Sequence, residues 1–191
     1  MTRPAAPQQD VHWVFGYGSL MWNPGFPSVE RHPAQLSGYH RAFCRYSFRH
    51  RGTPAAPGLV IGLREGGACV GFAFLIDPST LPEALAYLDE REGAGYQRLV
   101  RPVHLKHPAG GRSVPAWVYG PNPKHPSYFG QQDPERIADL VAHGRGESGT
   151  ALDYLTQLVA NLKTLGVEEP ELLDVLRRAE GLRGGAGAGA N

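Results

Sequence analysis

Short apolar runs broken by glycine and proline fill the first two thirds of the chain, and apolar positions at helical spacing dominate the last third. Val11 to Gly16 reads as a first strand, and Gln35 to Phe48, mixed apolar and aromatic, as a second. Leu59 to Arg64 and Cys69 to Ile76 are β-rich runs separated by Glu65-Gly66-Gly67, which predicts a hairpin turn. Leu99 to His107 and Val114 to Tyr119 repeat that pattern across Pro108-Ala109-Gly110-Gly111. Thr80-Leu81-Pro82-Glu83 has the form of a capping box. Leu81, Ala84, Leu85 and Leu88 then recur at helical spacing until Gly93 and Gly95 stop the helix. Further helices start at Asp133-Pro134 and end at Gly144, start at Thr150, and run from Pro170 to Ala179.

Strands first, one helix inserted, then helices: this order predicts an α+β fold with a mostly antiparallel sheet, either open or closed into a barrel. The 191 residues suit one domain, expected over 11–180, with residues 1–10 and 181–191 read as disordered termini. Lys plus Arg number 19 and Asp plus Glu 18, so no charge bias points to nucleic acid. No apolar run is long enough to span a bilayer, and the N-terminus lacks the apolar core of a secretory signal. Cys44 and Cys69 have no metal-ligand spacing and read as reduced thiols of a cytoplasmic protein.

Two features carry chemistry. In Val14-Phe15-Gly16-Tyr17-Gly18-Ser19-Leu20 an apolar run breaks into two glycines bracketing a tyrosine. Such a turn brings backbone N–H groups to one point, a concavity suited to a carboxylate or an oxyanion. The second feature is Glu92, which continues the stripe of Leu81, Leu85 and Leu88 with a carboxylate, while Glu90 and Arg91 point elsewhere, toward solvent. Burial would raise its pKa into the range useful for proton transfer. A frayed helix end would let it reach water instead, or pair with Arg91 or Arg98.

Other signals are weaker. Gly16-x-Gly18 lacks the third glycine of a dinucleotide fingerprint, because position 21 is Met. Ser19 lies outside any Gly-x-Ser-x-Gly elbow, so a serine hydrolase has little support. His104 and His107 have no Cys or acid nearby to complete a metal set. Arg45, Arg49, His50 and Arg51 form a basic patch, read either as a solvated loop or as anion attraction at a pocket rim. The loop from Pro121 to Pro126 either covers the pocket or is a surface turn.

Several motifs in order resemble the ChaC-type γ-glutamylcyclotransferases. Phe15 to Leu20 with Trp22 and Phe26 resembles the opening of that family. His50-Arg51-Gly52, Pro57-Gly58-Leu59-Val60 and Gly71-Phe72-Ala73-Phe74 are similar to its next segments. Leu88-Asp89-x-Arg91-Glu92 with Gly95-Tyr96 resembles its catalytic segment, followed by Tyr128-Phe129-Gly130 and Gly149 to Leu155. The resemblance runs from about Val11 to Leu176. It implies a γ-glutamylcyclotransferase-like fold and a glutamate, here Glu92, as catalytic acid/base. It implies that the loop Tyr17, Gly18, Ser19 and Leu20 binds the γ-glutamyl moiety, with Val14, Phe15, Gly16, Arg51, Tyr96 and Tyr128 also among the substrate-binding residues. The expected reaction is cleavage of glutathione to 5-oxoproline and Cys-Gly, with no metal or cofactor. Alternatives are the same chemistry on other γ-glutamyl amines or amino acids, and a non-catalytic binder of small γ-glutamyl ligands. The partner is a small molecule, with no nucleic acid or membrane, and the oligomeric state is left open. The chain departs from the pattern at Phe43-Cys44-Arg45-Tyr46, where eukaryotic members have Phe-Trp-Gln-Gly, and at Thr150-Ala151, where asparagine is usual. The first departure bears on substrate preference and the second on a helix cap.

Overall fold

The structure, a computed structural model, describes residues 11–106, 110–130 and 133–187. Five strands close a barrel: β1 (Trp13–Gly16), β2 (Glu30–Ser47), β3 (Gly58–Leu75), β4 (Tyr96–Leu105) and β5 (Arg112–Pro121), in the order β1-β3-β2-β4-β5. All neighbours are antiparallel except β1 and β5, which run parallel where Val14 faces Trp117. The barrel is therefore mostly antiparallel, and one parallel pair closes it.

Closure is uneven. Among the described residues β2 and β4 pair at Ala34–Leu105 and Gln35–His104, and toward Ser47 the two strands diverge. Beyond that point, the segment after β5 lies along β2: Phe129 N–H donates to Cys44 C=O and Tyr46 N–H to Ser127 C=O, each at 2.8 Å. The core includes Phe15, Leu36, Leu59, Ile61 and Phe74, all fully buried, and the pairing of Phe15 with Ala73 and of Val14 with Phe74 sets Phe15 and Phe74 on opposite faces of the sheet.

The expected hairpin at Glu65-Gly66-Gly67 is not a turn. Residues 58–75 form one strand, and both halves pair with β2. The register slips between Ser37–Ala68 and Tyr39–Glu65, where Gly66 and Gly67 take φ of 102° and 71° and Gly38 takes 82°. The glycines absorb extra residues as a bulge, which bends a long strand instead of reversing it. β2 likewise begins at Glu30, earlier than its apolar pattern predicts. Glu30 to Pro33 pair with β3 upstream of the first β4 pair, where only the Pro33 carbonyl among the described residues is held on the other side, by Lys106 N–H at 2.8 Å, so polar side chains and a proline are tolerated there.

Helix α1 (Leu81–Glu92) spans the predicted stretch, but the Thr80 side chain makes no cap bond. Instead the Thr80 hydroxyl donates to Asp77 C=O at 3.3 Å, so the expected capping box does not form. Helices α2 (Pro134–His143), α3 (Ala151–Thr164) and α4 (Pro170–Gly187) follow, with a small ribbon of β6 (Arg145–Gly146) and β7 (Gly149–Thr150) before α3. α2 and α3 pack on β3, and α4 packs on α2 and α3. At α3 a capping box does form: Asp153 N–H donates to the Thr150 hydroxyl at 2.9 Å and the Asp153 carboxylate accepts from Thr150 N–H at 3.3 Å. α4 continues to Gly187, so positions 181–187, expected to be disordered, are helical. Leu182 and Arg183 favour helix and no proline intervenes, so nothing stops the helix where glycine becomes frequent. Residues 188–191 and the expected arm at 1–10 lie outside the described residues, as do parts of the β4–β5 turn and His107.

One buried arginine joins the parts. Arg41 on β2 donates from Nε to Tyr17 C=O at 2.7 Å, and its other nitrogens reach Val70 C=O and the carboxylate of Glu169. It thereby ties the segment after β1 to β3 and to the entry of α4.

Candidate active site

β1 runs out of partners at Gly16, and the chain turns through a short 3-10 segment, Ser19–Met21. Met21 N–H bonds to Gly18 C=O at 2.9 Å, and Asn23 N–H to Ser19 C=O at 2.9 Å. The N–H groups of Ser19 and Leu20 precede the first bond of this turn and lie outside its ladder. A Cβ at Gly18 would stand 2.9 Å from the Tyr154 hydroxyl, so any side chain there would displace that phenol.

α1 approaches the turn by its C-terminal end. Leu88 is fully buried, Leu81 and Leu85 are half-buried, and Glu92 follows on the same stripe. Glu92 is half-buried and lines a cavity of about 470 Å³. Among the described residues it has no ion pair or side-chain hydrogen bond within the usual distances. Loss of water around the carboxylate raises its pKa above 4.5, and Arg91 and then Arg45 pull it partly back. Both partners considered for it are engaged elsewhere. Arg98 pairs with Asp89 at 2.9 Å. Arg91, expected to face solvent, curls back over the turn: Nη1 donates to Asn23 C=O at 2.7 Å and Nη2 to the Ser19 hydroxyl at 3.0 Å. Its length carries the guanidinium across to the turn, which the position of its Cα on the helix does not reveal. Ser19 thus faces a donor that cannot accept its proton, which is the wrong neighbour for a hydrolase nucleophile.

The remaining walls come from distant parts of the chain. β2 supplies Arg45 and Ser47, the following loop Arg49, His50 and Arg51, and β3 Val60. Tyr96 enters from β4 and Tyr154 from α3, with Trp22 and Asn23 from the turn and Tyr87 and Glu90 from α1. Tyr96 donates its hydroxyl to Ile61 C=O at 2.6 Å. Burial pushes the phenols of Tyr96 and Tyr154 above their ordinary value, so both stay neutral donors. Burial and the neighbouring Arg49 lower the His50 pKa, and its ring meets Ser148 Oγ at 3.0 Å. Arg51 donates to Thr150 C=O at 3.3 Å and lies over the Tyr154 ring at 5.6 Å.

The structure therefore brings Glu92, Ser19, Arg51 and Tyr96 to one cavity, with Gly18 in contact with it through Tyr154. Val14, Phe15 and Leu20 are buried in the core, and Gly16 packs against Leu20. The Tyr17 side chain is also buried, donating its hydroxyl to Tyr119 C=O at 2.5 Å. These residues shape the turn from behind. Tyr128 lines a separate cavity of about 480 Å³ at the divergent end of β2 and β4, with Tyr39, Arg64, Arg101, Pro121 and Pro123. The loop after Pro121 belongs to that second cavity. Arg45, Arg49, His50 and Arg51, the basic patch left open between a solvated loop and a pocket rim, line the cavity, whereas sequence pattern did not single out Tyr154 or Trp22 as site residues. The aromatic pair Trp22–Tyr154, 5.6 Å between ring centroids, joins segments about 130 positions apart, which no local signal reports.

Fold and site together define a small barrel protein whose cavity sets a carboxylate of raised pKa among cationic and phenolic side chains. A family model described as ChaC-like protein matches residues 12–179, and the chain belongs to that family. A glutathione-specific gamma-glutamylcyclotransferase of Escherichia coli (strain K12) is 37% identical over 175 residues, covering 92% of this chain and 75% of that protein. Glutathione-specific gamma-glutamylcyclotransferase 1 of Danio rerio is 35% identical over 169 residues, covering 85% of this chain and 86% of its own. The crystal structure of a yeast gamma-glutamyl cyclotransferase specific to glutathione superposes with a TM-score of 0.83 at 25% identity, over 90% of this chain and 96% of that one. The fold is γ-glutamylcyclotransferase-like. Among the described residues no helix is long and apolar enough to cross a membrane.

Proposed function

We propose that this protein is a γ-glutamylcyclotransferase that cleaves glutathione to 5-oxoproline and Cys-Gly, in the cytoplasm and as a single domain over 11–180. The reaction is intramolecular. The α-amine of the glutamyl group attacks its own γ-carbonyl, a C–N bond closes a five-membered lactam, and the C–N bond to cysteine breaks. Nucleophile and electrophile reside in one molecule, so the protein must fold the glutamyl arm, move protons and stabilise an oxyanion.

Glu92 performs the proton transfers. It takes a proton from the α-ammonium so that the amine can attack, and passes to the departing nitrogen the protons that the α-nitrogen sheds in becoming the lactam N–H, two in all, so the carboxylate is regenerated each turnover. Its raised proton affinity suits both steps. The backbone N–H groups at Ser19 and Leu20 are the donors assigned to the substrate carboxylate or the oxyanion, where one such donor is worth ~10²–10³ in rate. Arg51, Tyr96 and Tyr154 line the same space and complete the grip on the glutamyl arm.

The observation that carries this reading is a carboxylate without an ion pair, with raised pKa, opening on the cavity beside the glycine-bracketed turn. The test is incubation with reduced glutathione and mass spectrometry for 5-oxoproline and Cys-Gly. Glu92→Gln is expected to fold and to bind glutathione while turnover falls by ~10²–10⁴. Near-normal release of 5-oxoproline by that variant removes Glu92 from the mechanism. Comparison with γ-glutamyl-alanine separates glutathione preference from a broad γ-glutamyl range.

A further inference from the structure

We propose that Arg45 selects the substrate by its second carboxylate, the free C-terminal carboxylate on the leaving-group side of the scissile bond. This rests on the cyclotransferase reading and adds a specificity residue to it.

The cavity holds several cations, and their engagements differ. Arg49 is paired with Glu147 at 2.9 Å. Arg91 is committed to the turn through Asn23, Pro24, Ser19 and Tyr87. Arg51 donates to Thr150 and lies on Tyr154, the residue that abuts Gly18. Arg45 is different. Its Nε is buried with no hydrogen-bond partner, and among the described residues no carboxylate lies within ion-pair distance of it. Its guanidinium stands 4.5 Å from the centre of the Tyr96 ring and packs on Gly95, where a Cβ would come within 2.5 Å of Nε. An arginine cannot shed its proton to relieve burial, so an unmatched donor there calls for an anion. The flat guanidinium on an aromatic face is already oriented for a two-pronged carboxylate contact.

Glutathione carries a carboxylate at each end. The glutamyl end is assigned to the turn, where Arg91 and Arg51 already stand. Arg45 lines the same cavity without any of these engagements, so it is the cation left for the carboxylate at the other end of the molecule.

The experiment compares kcat/KM for glutathione and for glutathione amidated at its C-terminal glycine. The wild-type protein is expected to favour the free acid by roughly ten- to a hundred-fold, the worth of one charge-assisted contact. Arg45→Gln is expected to lose that preference by slowing the free acid roughly ten- to a hundred-fold more than the amide, whatever change both substrates share because Glu92 loses a neighbouring cation. Arg45→Lys restores part of it. Equal loss on both substrates, or a wild-type protein indifferent to the amide, overturns the proposal. If no γ-glutamyl compound is turned over, the cyclotransferase reading fails by itself. The role of Arg45 is then read by calorimetry on Glu92→Gln, as tighter binding of the free acid than of the amide, abolished by adding Arg45→Gln. Equal binding of the two by Glu92→Gln sinks it.

Discussion

Glu92 combines a charge that water would prefer to keep with a position that keeps water away. Burial raises its folded-state pKa above the 4.5 of an exposed glutamate. The ionised form therefore weakens the folded state at neutral pH, and the penalty fades as pH falls through the folded-state value. Glu92→Gln is expected to raise Tm at neutral pH, with the gain shrinking as pH approaches about 4. Thermal melts of both proteins across that range check it, and an unchanged Tm at neutral pH contradicts a carboxylate held at a cost. The same raised value places the acid limb of kcat/KM above the ordinary carboxylate range. Glu92 was legible in the sequence because one acid interrupts a stripe of leucines. Arg91 was not, because helical spacing locates a Cα and says nothing about a side chain long enough to curl back onto a turn.

At the scale of elements, the glycines show where pattern reading stops. Glu65-Gly66-Gly67 carries the same local signal whether the chain reverses or bulges. Only the partner strand decides, and β2 is long enough to pair with both halves of β3. The two Thr-initiated helices make the same point with capping. Thr80 has glutamate three positions on, yet its hydroxyl turns to Asp77, whereas Thr150 and Asp153 satisfy each other. Thr150→Ala is therefore expected to cost about 1 kcal/mol of stability, measured by thermal denaturation. Thr80→Ala should cost less, since no cap bond is lost. A reversed order would mean that the α3 cap is not what fixes its start.

Across the whole molecule, strand order and barrel closure depend on pairings between residues far apart in the chain, such as Val14 with Trp117. The alternation of strands and helices disclosed the fold class, but no local signal names these partners. Arg41 is the clearest case. Read in the sequence it is one cation in a strand, yet it is 3% exposed and links β2, the segment after β1, β3 and Glu169. Arg41→Met is expected to lower stability by about 3 kcal/mol or more in urea titrations, because Glu169 and two carbonyls lose their donor together. It should also slow turnover, since the Tyr17 carbonyl it grips belongs to the turn proposed to hold the substrate. Glu169→Gln keeps an acceptor and should cost less. Equal losses for the two would mean that the pair acts only as a pair and not as a clamp on the turn.

Glu92 is the last residue of α1. The peptide dipoles of a helix add up to about half a negative charge at that end, which repels an anion and steadies a proton. The last turn of α1 therefore bears on the acidity of a single carboxyl group, with Arg91 in that turn as its counterweight. Altering the charge of that turn shifts this acidity with every strand of the barrel in place.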